Sequence, residues 1–408
     1  MKIKQDYLAN GLPLVHVPIQ GPVVHLSLMI NAGSRFEDES ERGVAHFLEH
    51  MMFKGTKRRK AYHILSRLDD VGGELNAYTT KEEICIHASF LKPYFSRALE
   101  LISDILLHSQ FPLKEIEKEK EVVLDEIASY EDAPGDLIFE DFESLLFQQH
   151  PLAHTILGEP KDVRKISFDS IKNYWNKHFV ASNMSLALVG DLSYNRVLKG
   201  LNQHFGPIPQ GTKPLFTKEH IQYRASQKEV QKDTNQAHCL IGAPAYAAKD
   251  ENLAAFSLLN NLLGGAGMNN RLSLNIREKY GFTYHLESYY QPFTDTGVFG
   301  VYLGTDAKSI SKSKQLVFKE LKKLREKELG TLQLHKAKTQ LTGQLAMNRE
   351  NNLARSQAFA KSLLLEEPLK TFDQIAAEIE AIKGTDILRV ANEVFAQEKI
   401  SELTYLAK

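Results

Sequence analysis

The order of predicted strands and helices occurs twice along this chain, and this repetition restricts the folds that are open to it. In the first half an apolar strand at 23–34 precedes a helix at about 41–53, and a hairpin follows at 72–90. In the second half, 237–265 repeats the strand and the helix, and 281–304 repeats the hairpin. Repetition on this scale indicates two copies of one folding unit. The sequence therefore predicts an α+β fold of two homologous α/β-sandwich-like domains, each with a mainly antiparallel sheet packed with helices.

The boundary between the two copies is expected near the middle of the 408 residues. The segment "GPIPQGTKP" (206–214) is rich in proline and glycine, which favour a connecting loop over a helix or a strand. We therefore predict an N-terminal domain at 1–208, a linker at 209–230 and a C-terminal domain at 231–408.

Charge and cysteine content remove several classes of function. The formal net charge of −1 gives no reason to expect nucleic acid or an anionic membrane surface as a partner. Cys85 and Cys239 are the only cysteines, too few for a disulfide framework or a thiolate metal cage. The N-terminal residues lack an apolar signal segment, and no apolar run reaches the ~18 residues that suggest a membrane span. These features predict a cytoplasmic protein that does not bind membranes.

The segment "GVAHFLEHMMFKG" (43–55) concentrates metal-binding side chains in one predicted helix. His46 and His50 are four residues apart, so their imidazoles project from the same helical face, about 5–6 Å apart at Cβ. Two imidazoles and one carboxylate form a typical catalytic zinc site with water in the open fourth position. Glu49 lies beside this face, where it could take a proton from that water. The alternative is a chance pairing of two structural histidines.

A third ligand should come from a second helix, and "EKEVVLDEIASYEDAP" (119–134) offers candidates. Glu119 and Glu126 are seven residues apart and share one helical stripe with neighbouring valines. A carboxylate among valines is costly unless it is paired or binds a cation. We predict that Glu126 is the third ligand and that Glu119 orients a histidine. Asp125, one position off the stripe, is a weaker candidate, and a solvated charged helix is the alternative.

Together, "HFLEHMMFKGT" and "EKEVVLDEI" resemble the inverted zinc-motif peptidases, the family of pitrilysin, insulysin and mitochondrial processing peptidase. The separation of His50 and Glu126 along the chain also matches that family. The resemblance covers nearly the whole chain. It implies a zinc-dependent endopeptidase with one zinc ion per chain, bound by His46, His50 and Glu126, and with Glu49 as the general base.

The resemblance extends to a segment that would bind the substrate. "LNAYTTKEE" (75–83) is similar to the strand that pairs with the substrate backbone in this family, which would place Asn76 and Ala77 beside the scissile bond. Phe47 is expected to line a side-chain pocket there. "ICIHAS" (84–89) departs from the threonine and tyrosine often found in relatives, so the resemblance does not define the side-chain preference near this strand.

The second half carries the other part of the implied active site. "LGGAGMNNRLSLNIREKYGFTY" (263–284) is similar to the family's glycine-rich loop and the segment after it. Arg277 and Tyr284 match the pair that binds the substrate carbonyl and stabilises the oxyanion, and a guanidinium and a phenol suit that role. No histidine pair occurs where the second half repeats the first helix, which indicates that only one copy is equipped for chemistry.

The resemblance also implies an assembly. Family members of this length resemble half of a clamshell and pair to enclose a chamber, which admits short or unfolded polypeptides. This chain carries both the zinc motif and the Arg277–Tyr284 pair, so we expect a homodimer with active sites shared across subunits. The alternative within the same fold is a non-catalytic scaffold or partner subunit, a class that has typically lost metal ligands or the base.

Overall fold

The computed structural model describes residues 3–216, 221 and 223–407, apart from the side chain of Tyr284. The strands are β1 (Lys4–Tyr7), β2 (Pro13–Val17), β3 (Val23–Ile30), β4 (Glu74–Thr79), β5 (Ile84–Leu91), β6 (Met184–Val189), β7 (Gln227–Lys232), β8 (Ala237–Ala245), β9 (Thr283–Pro292), β10 (Gly297–Thr305) and β11 (Ser401–Ala407). The helices are α1 (Val44–Met52), α2 (Ala61–Asp69), α3 (Phe95–His108), α4 (Leu113–Glu131), α5 (Pro134–Phe147), α6 (Pro160–Val163), α7 (Phe168–His178), α8 (Tyr194–Phe205), α9 (Leu253–Gly264), α10 (Glu278–Tyr280), α11 (Ile310–Glu326), α12 (Thr331–Asn348), α13 (Asn352–Leu364), α14 (Phe372–Ala381) and α15 (Gly384–Val394).

The two sheets have the same strand order. The first runs β1-β2-β6-β3-β5-β4 and the second runs β7-β11-β8-β10-β9, so they correspond strand for strand once β1 is set aside. One pair in each sheet is parallel, β2 with β6 and β7 with β11, and the other neighbours are antiparallel. This correspondence confirms the predicted α+β fold of two homologous units with mainly antiparallel sheets.

The chain divides into two compact units that interleave along the sequence. Unit 1 comprises Met1–Ala128, His154–Thr217 and Asn348–Leu369, and unit 2 comprises Ser129–Ala153, Lys218–Met347 and Lys370–Lys408. Each unit thus takes one helix from the other half of the chain. Helix α13 packs against β3 and β6 in unit 1, and α5 packs against β8 and β11 in unit 2.

This division differs from the predicted domains at 1–208 and 231–408, which assumed that each half of the chain folds by itself. The predicted linker at 209–230 differs as well, because its last residues begin strand β7. Residues 217–220 and 222 of that linker lie outside the described residues.

Apolar side chains cover both faces of each sheet. In unit 1, one face packs against α1, α3, α7 and α8, and the other packs against α13. In unit 2, one face packs against α9, α11 and α15, and the other packs against α5. Both units are therefore layered, and the edge strand β4 of unit 1 lies next to α1.

Over the described ranges, no helix has the combination of length and apolar character that is needed to cross a bilayer.

Candidate metal centre

Helix α1 is fixed by the glycine before it, by an acidic cap and by its own apolar face. Gly43 has a φ of +82°, and a Cβ at this position would lie 2.8 Å from the carbonyl oxygen of Leu157, so glycine is required. The backbone N–H groups of Gly43 and Ala45 donate to the Glu37 carboxylate at 2.9 and 2.7 Å. Those bonds satisfy two donors of the first turn that have no partner within the helix. The apolar residues of α1 are buried against the sheet.

The structure brings together the three residues predicted as metal ligands. His46 and His50 lie one turn apart on α1 with ring centroids separated by 4.6 Å, and Glu126 reaches them from α4. Glu126 Oε2 is 3.7 Å from His46 Nε2 and 3.6 Å from His50 Nε2. One ligand atom from each residue lies within 4.8 Å of the other two. Among the described residues, this is the only such group of three.

These separations fit a shared metal ion better than hydrogen bonds. Protein hydrogen bonds between nitrogen and oxygen are ~2.7–3.2 Å long, so the two separations from Glu126 are too large. Two ligands at about 2.0–2.1 Å from one zinc ion in tetrahedral directions are separated by roughly 3.4 Å, close to the observed distances. Burial, and then the neighbouring His50, lower the pKa of His46 to about 3, which keeps its imidazole neutral as a ligand must be. The donor set therefore fits zinc.

A buried carboxylate orients His50. Glu119 Oε1 lies 2.9 Å from His50 Nδ1, and its other oxygen lies 2.5 Å from Lys54 Nζ. The side chain of Glu119 is almost fully buried, so the lysine compensates its charge. A proton on His50 Nδ1 leaves Nε2 free to face Glu126, as metal-ligating histidines require. His46 Nδ1, by contrast, is buried without a hydrogen-bond partner among the described residues, so packing alone orients that ring.

Glu49 lies beside the two histidines and has a partner that sequence reasoning missed. Thr79, the last residue of β4, donates its hydroxyl to Glu49 Oε2 at 2.6 Å. Burial raises the pKa of Glu49 above its ordinary value, and the bond from Thr79 partly offsets this effect. A carboxylate with a raised pKa is a stronger base, which suits a group that accepts a proton near neutral pH.

The structure separates the residues predicted to bind the substrate. Asn76 is exposed on the edge strand β4, and its side-chain oxygen accepts from the backbone N–H of Ala77. Ala77 is buried, so only its backbone is available to a peptide. Phe47 has no exposed surface and belongs to the core of unit 1, so it does not line an open pocket. The apolar periodicity of α1, with Phe47 on its inner face, is the signal that indicates burial.

The predicted carbonyl-binding pair belongs to unit 2. Arg277 is exposed at the end of a π-helical turn, Ser273–Arg277, a distortion often found at functional sites. Tyr284 lies on β9, but its side chain is outside the described part of the chain. Asn270, which sequence reasoning missed, binds the carbonyl oxygens of Gly265 and Gly267 at 2.8 and 2.6 Å and so shapes the glycine-rich loop.

Comparison with known proteins gives consistent matches. Residues 18–160 match the family described as insulinase (peptidase family M16), and residues 165–341 match the peptidase M16 inactive domain. An uncharacterized zinc protease of Rickettsia bellii is 33% identical over 97% of this chain and 95% of its own length. A probable mitochondrial-processing peptidase subunit beta of Arabidopsis thaliana is 27% identical over 97% of this chain and 76% of its own. The solved structure of a peptidase M16 inactive domain from Pseudomonas fluorescens has the same fold, with a TM-score of 0.94, 22% identity and coverage of 100% and 98%.

Proposed function

The chain belongs to the insulinase family of peptidases, family M16, and from this premise we propose that it is a zinc-dependent endopeptidase. One observation carries the proposal. His46, His50 and Glu126 converge from two helices, and Glu49 lies beside them with its carboxylate held by a hydrogen bond. Such a site has three protein ligands and an adjacent base, the arrangement of catalytic rather than structural zinc.

Each residue of the centre would have a distinct part in peptide hydrolysis. His46, His50 and Glu126 would hold the metal, with Glu119 orienting His50. When bound there, zinc would lower the pKa of a water molecule and polarise a peptide carbonyl. Glu49 would take the proton as the water attacks the carbonyl carbon, and would later deliver it to the leaving amine.

An extended peptide would bind along β4. This strand has a neighbour on one side only among the described strands, so its outer edge can pair with a substrate backbone. Asn76 is exposed on this strand, and pairing there would recognise backbone more than side chains. Arg277 and Tyr284 would bind the substrate carbonyl oxygen and stabilise its developing charge.

We further propose that two copies of the chain form a homodimer. In this arrangement Arg277 and Tyr284 of one subunit would serve the zinc centre of the other, so each active site would be shared. The enclosed chamber would admit short or unfolded polypeptides, in a cytoplasmic setting without nucleic acid or membrane as a partner.

The second candidate is a non-catalytic scaffold of the same fold. The match of residues 165–341 to the inactive domain of the family favours it, since this match covers much of unit 2. Unit 1, however, retains all three ligand positions and the base, which a scaffold does not need. The peptidase is therefore the better-supported function.

Hydrolysis of quenched-fluorescent peptides, with zinc content measured on the same sample, tests this proposal. The wild type should contain about one zinc per chain and cleave peptides, and a chelator should abolish cleavage. Glu49→Gln should keep the zinc and lose activity by at least about a hundredfold. One zinc per chain with no cleavage of any peptide by the dimer would favour the scaffold.

A further inference from the structure

The carboxylate of Glu49 has one anchor, and it comes from the edge strand. The bond from Thr79 Oγ1 to Glu49 Oε2 is 2.6 Å long, and an ionised carboxylate can only accept, so the hydroxyl is the donor. The side chain of Glu49 makes no other hydrogen bond or ion pair within the described residues. Its second oxygen, Oε1, is therefore left without a protein partner there and can take a proton.

Thr79 itself is held firmly. Its backbone lies opposite Ile84 in the antiparallel pair of β4 and β5. The turn that follows is closed by Thr80, whose N–H donates to the carbonyl oxygen of Glu83 at 2.8 Å and whose hydroxyl accepts from the N–H groups of Glu82 and Glu83. A β-branched side chain on a strand also has few rotamers. The position of the Thr79 hydroxyl is thus set before any substrate binds.

Resting on the proposed function, we infer that Thr79 is a positioning residue, whose hydroxyl fixes the Glu49 carboxylate beside the peptide that pairs with β4. A glutamate side chain has three rotatable torsions, and a base that turns away from the reacting water loses rate without losing substrate affinity. Because Thr79 belongs to β4, the strand proposed to pair with the peptide, the same strand would position both the base and the scissile bond.

Thr79→Val tests this inference, with Thr79→Ser as its matched control. Valine keeps the shape and β-branching of threonine but lacks the donor, whereas serine keeps the donor. For Thr79→Val we expect kcat to fall about tenfold or more with KM changed by less than about twofold, as for loss of one charged hydrogen bond. Thr79→Ser should restore most of the rate. Zinc content should be equal in all three proteins, and so should the affinity for an uncleaved peptide measured by fluorescence anisotropy.

A second readout does not depend on activity. In the metal-free protein, Thr79→Val and Glu49→Leu should give Tm shifts that are not additive when combined, because both remove the same hydrogen bond. Additive shifts, or a kcat that is equal in Thr79→Val and wild type, would overturn the positioning role while leaving the peptidase proposal intact. A wild type that binds zinc but hydrolyses nothing would overturn the proposed function itself, and the role of Thr79 with it.

Discussion

Helices α1 and α9 occupy equivalent places in the two units, yet only α1 carries candidate metal ligands. Along the chain, each helix comes after an inner strand of its sheet, β3 or β8, and before an edge strand, β4 or β9. Counted from the first helical residue, Phe47 corresponds to Phe256, and both side chains are fully buried. The apolar contact that docks the helix on the sheet is therefore common to the two units.

The difference lies in three neighbouring positions. By the same count His46, Glu49 and His50 of α1 correspond to Ala255, Leu258 and Leu259 of α9. Both leucines are fully buried, and burial of a leucine side chain stabilises a fold by about 1.5–3 kcal/mol. The residues of α9 at these positions serve packing alone. Helix α1 has polar side chains there instead, and so lacks the stabilisation that two buried leucines provide. This contrast is the strongest reason to regard the cluster as functional.

Giving α1 the residue of α9 should have the largest effect. His50→Leu removes one of the three ligands, so we expect no tight zinc binding and a loss of peptidase activity of at least about a hundredfold. Zinc content by mass spectrometry of the purified variant checks this, with circular dichroism to establish that the fold is retained.

The reverse change is the matched control. Leu259→His puts one unpaired imidazole into the core of unit 2, which should cost roughly 1–3 kcal/mol of stability but leave the zinc content at one per chain. Retention of zinc by His50→Leu, or loss of zinc from Leu259→His with the fold intact, would contradict the assignment of the site to α1.

Acid should destabilise unit 1 through a buried histidine that unit 2 lacks. His178 ends α7, whereas the equivalent helix α15 ends at Val394. Burial lowers the pKa of His178 from 6.5 to about 4. Between these two pH values the side chain is therefore neutral in the folded protein but protonated in the unfolded chain. The resulting stability is present above pH ~6.5 and is lost as the pH falls toward 4, by roughly 3 kcal/mol in total.

Urea unfolding of the metal-free protein across that pH range measures this loss. His178→Leu should show a shallower decline of the unfolding free energy than wild type, because its side chain does not titrate. Parallel declines in the two proteins would mean that His178 does not contribute to acid sensitivity.

The orienting carboxylate should have a smaller effect, on metal affinity. Glu119→Gln keeps an acceptor for His50 but loses the negative charge, so we expect zinc to bind about tenfold more weakly. Lys54→Met, one contact further from the metal, should weaken binding less. Competition with a chromophoric chelator measures the zinc affinity of both variants. Glu121→Gln, on the exposed face of α4, is the control and should leave the affinity unchanged. Equal zinc affinity in Glu119→Gln and Glu121→Gln would show that Glu119 does not orient His50 for metal binding.

The cap of α1 should affect the stability of the fold and not the metal affinity. Glu37→Ala leaves two N–H groups of the first turn without their acceptor, and we expect a loss of about 1–2 kcal/mol in unfolding free energy. Helix α9 keeps one such bond, since the N–H of Asn252 before its first residue donates to the Asp250 carboxylate at 2.8 Å. Exposed Glu39 is the control, and a Glu39→Ala variant as destabilised as Glu37→Ala would show that the cap adds nothing specific.

Much of the fold was predictable because its periodic patterns are local. The helix predicted at about 41–53 is observed at Val44–Met52, and the hairpins predicted at 72–90 and 281–304 are formed by β4 with β5 and by β9 with β10. The candidate ligands were also predictable, since the spacing of His46 and His50 on one helix and the resemblance to known peptidases both indicate them.

Long-range packing was not predictable in the same way. An amphipathic pattern shows that α5 and α13 each have an apolar face, but not that each covers the sheet of the other half of the chain. The resemblance predicts that Phe47 lines a pocket, whereas its apolar neighbours on α1 indicate a core position, and the side chain is fully buried. Thr79 gave no signal, because a threonine in a strand is ordinary until the fold places its hydroxyl against Glu49.

Anomalous diffraction at the zinc absorption edge, from crystals of the protein as purified, tests whether His46, His50 and Glu126 bind zinc. We expect one peak per chain, within bonding distance of His46 Nε2, His50 Nε2 and a carboxylate oxygen of Glu126, and none beside α9. A fully occupied zinc held by other residues, or no peak in a protein supplied with zinc, would contradict this expectation.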